Sequence, residues 1–351
     1  MISDKIALNK NIKRAFKYAL SFIVTILFLY LAFLNVDVRK VIQYTLTASP
    51  GWVVVFVCIF LLSHFLRALR WKFILSSVKK DVSVKNLFGA LMIGYGVNCV
   101  VPRLGEVTRA VLIGKWEGLS RSSMLGTVIL ERFIDVIFFA IALAISLFLS
   151  TRNLLGVFPW LKTTLYITAA GLCLGLIFVF LAIKFKQFFI KWIIKLVGKV
   201  SNKGGEMLAG FFDTLLQGFS SLKGWKNYFN TIALSIAIIL LYALNSYVGF
   251  LMLGFQNYYH VDYGSGWIIM SLSSIAAAIP TPGSTGSYHL LVKSLLTLLF
   301  GMSEDKSLAY AFLTHIISYI MFIFTALVIF FAMYKQKDNV NESTETNIGK
   351  I

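Results

Sequence analysis

What most constrains this chain is the recurrence of apolar runs long enough to need hydrocarbon around them. A helix needs about 20 apolar residues to cross ~30 Å of bilayer core. Six runs approach or exceed that length, at 17–34, 52–71, 123–149, 163–183, 228–253 and 308–334. Two further apolar stretches, 86–113 and 264–300, are interrupted midway. The composition agrees, with 58% hydrophobic and only 14% charged residues, against about 25% charged in soluble domains. No polar stretch is long enough to fold as a separate soluble domain. The expected fold is therefore an all-α polytopic membrane domain over 17–334, with a basic segment at 1–16 and a disordered polar tail at 335–351.

The two interruptions have a common chemistry. The first reads Val101-Pro102-Arg103-Leu104-Gly105-Glu106, the second Pro280-Thr281-Pro282-Gly283-Ser284-Thr285-Gly286. Proline removes a helical donor and glycine permits a tight reversal. Each limb beside the break is short for a crossing at ~1.5 Å per residue. Re-entrant helical hairpins are expected in both places, rather than kinked spans.

The net charge of +18 suggests a nucleic-acid partner until the basic residues are located. They sit in short loops between apolar runs, which is the positive-inside pattern, and lipid headgroups are the expected anionic partner. With six spans and two hairpins, 24 of the 33 Lys and Arg fall on one side and five on the other. Both termini are thereby expected in the cytoplasm. The basic N-terminal stretch resembles a signal peptide, but its apolar run is too long and lacks an A-x-A-like site, so it reads as the first span. The three cysteines, Cys58, Cys99 and Cys173, lie in apolar segments and read as small buried hydrophobes.

This topology sends the first hairpin in from the cytoplasm and the second from outside. Span, hairpin, span occurs twice with the second copy inverted. Such repeats place a transport site where their broken helices meet. Between them, 184–226 reads as an amphipathic connector on the cytoplasmic interface, with Lys184, Lys191, Lys195 and Lys199 as a stripe.

Charges at membrane depth are costly and mark candidate sites. Arg103, Glu106 and Arg109 cluster at the first break, where a helix N-terminus favours an anion such as a lipid phosphate. The alternative is a self-neutralised network, with Glu106 and Arg109 paired one turn apart. Glu131 and Asp135 share a helical face beside Arg132 and repel unless a cation lies between them. Arg103 or Arg109 is the expected source, and a proton or cation site is the other reading. The second break offers hydroxyls and then His289, for which a structural role is the plain reading and a pairing with His315 on the last span the alternative. His64 and His260 read as incidental, and Arg67-Ala68-Leu69-Arg70-Trp71-Lys72 as an interfacial anchor whose cations snorkel. No enzyme motif, metal-ligand set or cofactor loop is present in the sequence.

Three blocks resemble the lysylphosphatidylglycerol synthase transmembrane family, also called the flippase-like domain family. They are Arg67 to Lys72; Asn98 through Pro102, Gly105, Glu106 and Arg109 to Glu131, Arg132 and Asp135; and Pro280 to Gly286. The resemblance covers roughly residues 15–335 and implies a lipid flippase of the inner membrane. It singles out Pro102, Gly105, Glu106, Arg109, Glu131, Arg132 and Asp135. Where the family has an acidic residue after the second break and a basic one in the last span, this chain has His289 and His315. The family's soluble aminoacyl-transfer domain has no counterpart in these residues, so lipid aminoacylation is not implied.

The expected function is translocation of a phospholipid or glycolipid headgroup without enzymatic catalysis. Transport of a small polar solute, and a membrane subunit partnering an envelope-biosynthesis enzyme, are the other readings. Candidate headgroup contacts are Asn98, Pro102, Arg103, Gly105, Glu106, Arg109, Glu131, Arg132, Asp135, Pro280, Pro282, Gly283, Ser284, Thr285, Gly286, His289 and His315.

Overall fold

The computed structural model describes residues 20–348 except 77, 151–152 and 199–200. Every regular element among the described residues is helical. Among the described residues, five helices are long and apolar enough to span a bilayer: α3 (Pro50–Leu75), α6 (Arg121–Leu149), α8 (Pro159–Lys184), α11 (Trp225–Met252) and α14 over its Glu304–Ala332 stretch. At 26 to 29 residues, each reaches about 40 Å. The chain is thus a multi-pass membrane protein.

The first expected span is seen from Leu20 to Phe33 (α1), and it meets α2 (Val38–Leu46) at a bend of 87°. Helix α2 was not expected. Asp37 caps it by accepting from the Arg39 amide, after a turn in which Asn35 takes a positive φ of 60°.

Between α3 and α6 lies a helical hairpin, α4 (Val84–Val100) and α5 (Leu104–Glu117). Its limbs run antiparallel. At the closed end the Asn98 side chain accepts from the Gly105 amide at 2.7 Å. At the open end Glu117 accepts from the Ser83 amide, from Asn86 Nδ2 and from Lys79 Nζ. The limbs touch through glycine: a Cβ on Gly105 would lie 2.0 Å from the Gly94 carbonyl oxygen. Close backbone approach of this kind is how helices associate where apolar lipid supplies no hydrophobic drive.

A second hairpin stands between α11 and α14. Its limbs are α12 (Tyr263–Ser273), continued by a 3₁₀ turn over Ser274–Ala278, and α13 (Ser287–Phe300). Its tip includes a 3₁₀ turn at Pro282–Ser284 and returns through Gly286 at φ 86°. That glycine is required, because a Cβ there would press on the Thr25 carbonyl oxygen and Phe28 of α1.

The two halves pack reciprocally. Helices α3 and α11 lie antiparallel, since Ser49 bonds to Met252 while Arg70 bonds to Ser235. Limb α4 of one half packs on α14 of the other, and α12 packs on α6 in return. Each hairpin has its own apolar core. Trp71, Ile74, Leu87, Ile113 and Met124 surround the base of the first, and Phe250, Ile269, Leu272, Leu295 and Tyr310 the second.

The connector forms α9 (Lys186–Gly198) and α10 (Asn202–Phe219), joined by an ion pair between Lys186 and Asp213. Helix α14 runs to Ile348. One expectation is corrected. Cys99 is buried, but Cys58 and Cys173 face outward on α3 and α8, where the surrounding lipid accepts them as readily as a core.

Candidate functional site

Two carboxylates on consecutive turns of α6 organise the centre of the molecule. Glu131 is completely buried and Asp135 nearly so. Their i, i+4 spacing puts them on one face, as the sequence indicates, and four guanidinium groups surround them. Arg67 Nη2 lies 2.6 Å from both Glu131 Oε1 and Asp135 Oδ2. Arg70 Nη2 lies 2.5 Å from Asp135 Oδ1 and 3.3 Å from Glu131. Arg109 Nη1 takes the other Glu131 oxygen at 2.8 Å. Arg132 completes the set at 3.3 and 3.5 Å.

This geometry overturns three expectations. The Arg67-to-Lys72 stretch is no snorkelling anchor, because Arg67, Arg70 and Trp71 are buried. Residues 67, 70, 71 and 74 follow helical spacing on α3, so the arginines face inward with the apolar stripe rather than out to headgroups. Of the two expected cation sources Arg109 reaches Glu131 and Arg103 contributes none, while the cations shared by Glu131 and Asp135 come chiefly from α3. Glu106 does not pair with Arg109; it accepts from Asn98 Nδ2 at 3.3 Å.

Aromatic rings line the arginine cluster. Arg109 sits over Trp71 at 5.1 Å and Arg67 near Tyr95 at 5.9 Å. Arg67 Nη1 donates to the Tyr242 hydroxyl and Arg70 Nη1 to Ser235, both on α11. Tyr95 stacks on Phe322 at 4.8 Å, and His64 packs edge-on against both. His64, read as incidental, is therefore part of the wall beside Arg67.

The hairpin tips meet directly. Arg103, at φ 63° in the left-handed region, reaches across and donates to the Ala278 carbonyl at 2.9 Å. The Tyr319 hydroxyl of α14 donates to the Cys99 carbonyl at 2.7 Å. A Cβ on Gly283 would collide with the Tyr319 ring and approach Cys99, so glycine lets the second tip close on the first. Pro102 lies half-buried in the first tip. In the second, the Pro280 carbonyl accepts from Ser21 of α1, the Thr285 amide turns back to the Pro282 carbonyl, and Ser284 takes φ 61°.

Behind that tip, His289 and His315 lie edge to face with ring centres 4.6 Å apart. They do not share a hydrogen bond. His315 Nε2 points to the Gly283 carbonyl oxygen at 2.9 Å, and His289 Nδ1 accepts from the Gly286 amide. Along α14, His315, Tyr319 and Phe322 connect this histidine pair to the wall of the arginine cluster. The structure thus brings the candidate residues into three connected places: the ion cluster, the tip contact and the histidine pair. Arg67, Arg70, Tyr95 and Tyr242 are the members that sequence reasoning missed. Two unneutralised carboxylates on one face of α6 were the signal that more arginines were needed.

Over the described residues, no three His, Cys, Asp or Glu side chains converge as metal ligands. An apolar groove of about 410 Å³ runs between α3, α4 and α14, lined by residues that include Leu61, Phe65, Phe88, Phe324 and Ile329.

Two antiparallel helical halves, paired hairpin tips and a buried charge cluster define a membrane-embedded protein with an internal polar site. The chain belongs to the lysylphosphatidylglycerol synthase transmembrane region family, whose sequence model matches residues 18–326. A UPF0104 membrane protein of Methanocaldococcus jannaschii is 25% identical over 126 residues, covering 35% of this chain and 38% of that protein. A second UPF0104 membrane protein, from Methanothermobacter thermautotrophicus, is 26% identical over 175 residues, 49% of this chain and 47% of its own. A protein named glycosyltransferase AglD, from Haloferax volcanii, is 23% identical over 336 residues, 89% of this chain and 53% of its own. The matched region thus spans at most about half of each relative. No solved structure matches the chain.

Proposed function

We propose that this chain is a lipid translocator that carries a phospholipid or glycolipid headgroup between leaflets while the acyl chains stay in the bilayer. The observation that carries the reading is the meeting of two hairpin tips from antiparallel halves beside a buried, arginine-rich cluster. In this reading both hairpins are re-entrant, the contacting tips lie within the membrane, and the protein resides in the inner membrane. Both termini are cytoplasmic. With Arg67 and Arg70 moved into the interior, 22 of the 33 basic residues remain on that side against five opposite, and the bias still sets the orientation.

The apolar groove favours lipid over a small solute. A solute carrier needs a cavity closed to hydrocarbon, whereas this groove opens sideways next to the ring wall that backs Arg67. The solute reading drew on the inverted repeat and the buried carboxylates, and of these Glu131 and Asp135 are taken up by arginine partners. The glycosyltransferase name of one relative supports a third reading, a membrane subunit beside an envelope-biosynthesis enzyme. Co-purification of an enzyme whose activity requires this chain, with no lipid movement, would favour it.

The test is leaflet translocation of labelled lipids in proteoliposomes. Wild-type protein should accelerate movement of one headgroup class, and Arg109→Ala and Glu131→Gln should lose it at matched amounts of folded protein. No acceleration for any lipid by intact protein would overturn the reading.

A further inference from the structure

The ion cluster is not neutral, and its charge count names a ligand. Four guanidiniums contact two carboxylates, leaving an excess of two positive charges in the cluster. Glu106, one turn before Arg109, is held by Asn98 instead. Uncompensated charge away from water is the arrangement proteins most consistently avoid.

The hydrogen bonds are incomplete in the same sense. Arg67 Nε, Arg70 Nε, Arg109 Nη2 and Arg132 Nε are buried without a hydrogen-bond partner. Arg67, Arg70 and Arg109 are each no more than 4% exposed at the side chain. All of the unmatched atoms are donors, on residues whose charge is unmatched too. Arginine presents these donors in a planar fork suited to tetrahedral oxyanions. Arg132, with its side chain 37% exposed, is the open corner of the cluster and the approach for a ligand.

Resting on the translocator reading, we infer that this cluster is a binding site for a lipid phosphate carrying two negative charges, a phosphomonoester or a diphosphate esterified at both ends rather than a phosphodiester. A phosphomonoester loses its second proton near pH 6, so at pH 8 it matches the excess charge. A diester carries one charge and leaves one guanidinium unpaired. The apolar groove lined by Leu61, Phe88 and Ile329, residues that pack in one cluster with Phe60, Tyr95 and Phe322, favours a lipid as the carrier of that phosphate over the free ion.

The test measures binding to the purified full chain at pH 8 with three probes. They are phosphatidic acid as phosphomonoester, phosphatidylglycerol as phosphodiester, and inorganic phosphate. Wild type should bind phosphatidic acid at least about tenfold more tightly than phosphatidylglycerol, corresponding to ~1.4 kcal/mol. Arg132→Gln, which lowers the excess to one, should shrink that ratio severalfold, and Arg132→Lys should preserve it. Equal affinity of wild type for the two lipids would overturn the inference even if the variants fail to fold. So would a ratio unchanged in folded Arg132→Gln. Inorganic phosphate binding as tightly as phosphatidic acid would overturn the lipid source. A preserved monoester preference without any leaflet translocation would support the site while refuting the translocator reading.

Discussion

Replacing Glu131 with Gln isolates what holds the interior together. In the folded chain Glu131 accepts from four guanidiniums, at 2.6, 2.8, 3.3 and 3.3 Å. The variant keeps the side chain's shape but removes one of two negative charges, so the cluster's excess rises from two to three. Removing one partner of a buried ion pair costs about 3–5 kcal/mol, because the remaining charge stays desolvated and uncompensated. At about 2–4 °C per kcal/mol for chains somewhat shorter than this one, thermal unfolding in detergent should fall on the order of 10 °C. Charge, rather than lost packing, is the cause if a second substitution recovers stability. Arg109→Gln combined with Glu131→Gln returns the excess to two, and the pair should be less destabilised than the sum of the singles by about 0.5–3 kcal/mol. A single variant melting within a degree of wild type, or strict additivity in the double variant, would refute the charge argument.

Three further expectations follow from the hairpins. Gly105→Ala should abolish folded yield, judged by size-exclusion profile, because its Cβ would lie 2.0 Å from the Gly94 carbonyl oxygen, while Gly94→Ala, at 2.9 Å from the Gly105 oxygen, should be milder. At the hairpin base, burial opposes ionisation of Glu117, but hydrogen bonds from Lys79, Asn86 and Ser83 outweigh it and hold its carboxyl below the ordinary range. That contribution is present above the unfolded carboxylate pKa and is lost as pH falls through the lower folded value. Glu117→Gln should therefore melt below wild type at pH 7, and the gap should close only under acid; a gap independent of pH would count against the assignment. Arg103 is exposed and makes one cross-tip contact, so Arg103→Ala should leave the melting temperature within about 1–2 °C while slowing lipid movement in proteoliposomes.

Hydropathy made the span helices legible because the bilayer leaves so few options for backbone hydrogen bonding. Pro102, Gly105, Pro282 and Gly283 marked both hairpin tips for the same reason, since each forbids or relaxes a specific backbone geometry. The partners of Glu131 were less legible. Pairing across α3, α5 and α6 is a property of helix packing, and one-dimensional spacing shows only which residues share a face. Arg67 and Arg70 sit near a span's end, where snorkelling and burial give the same sequence pattern. Only the contact with α6 and α11 distinguishes them. The 87° turn into α2 was hidden because a short amphipathic helix beside a loop carries little apolar signal. The pairing of His289 with His315 was only one reading of their positions beside the tip and on the last span, and their edge-on contact depends on side-chain packing.

The central claim is that a headgroup crosses where the two tips meet. A cross-link tests it most directly. In a background with Cys58, Cys99 and Cys173 replaced, Arg103→Cys and Ala278→Cys would be joined by a short reducible thiol cross-linker, with leaflet translocation measured on the same proteoliposomes before joining, after joining and after reduction. The expected result is loss of translocation on cross-linking and recovery on reduction, with either single cysteine variant unaffected by the reagent. Unchanged translocation with the tips held together would contradict the claim and place the lipid's path elsewhere in the protein.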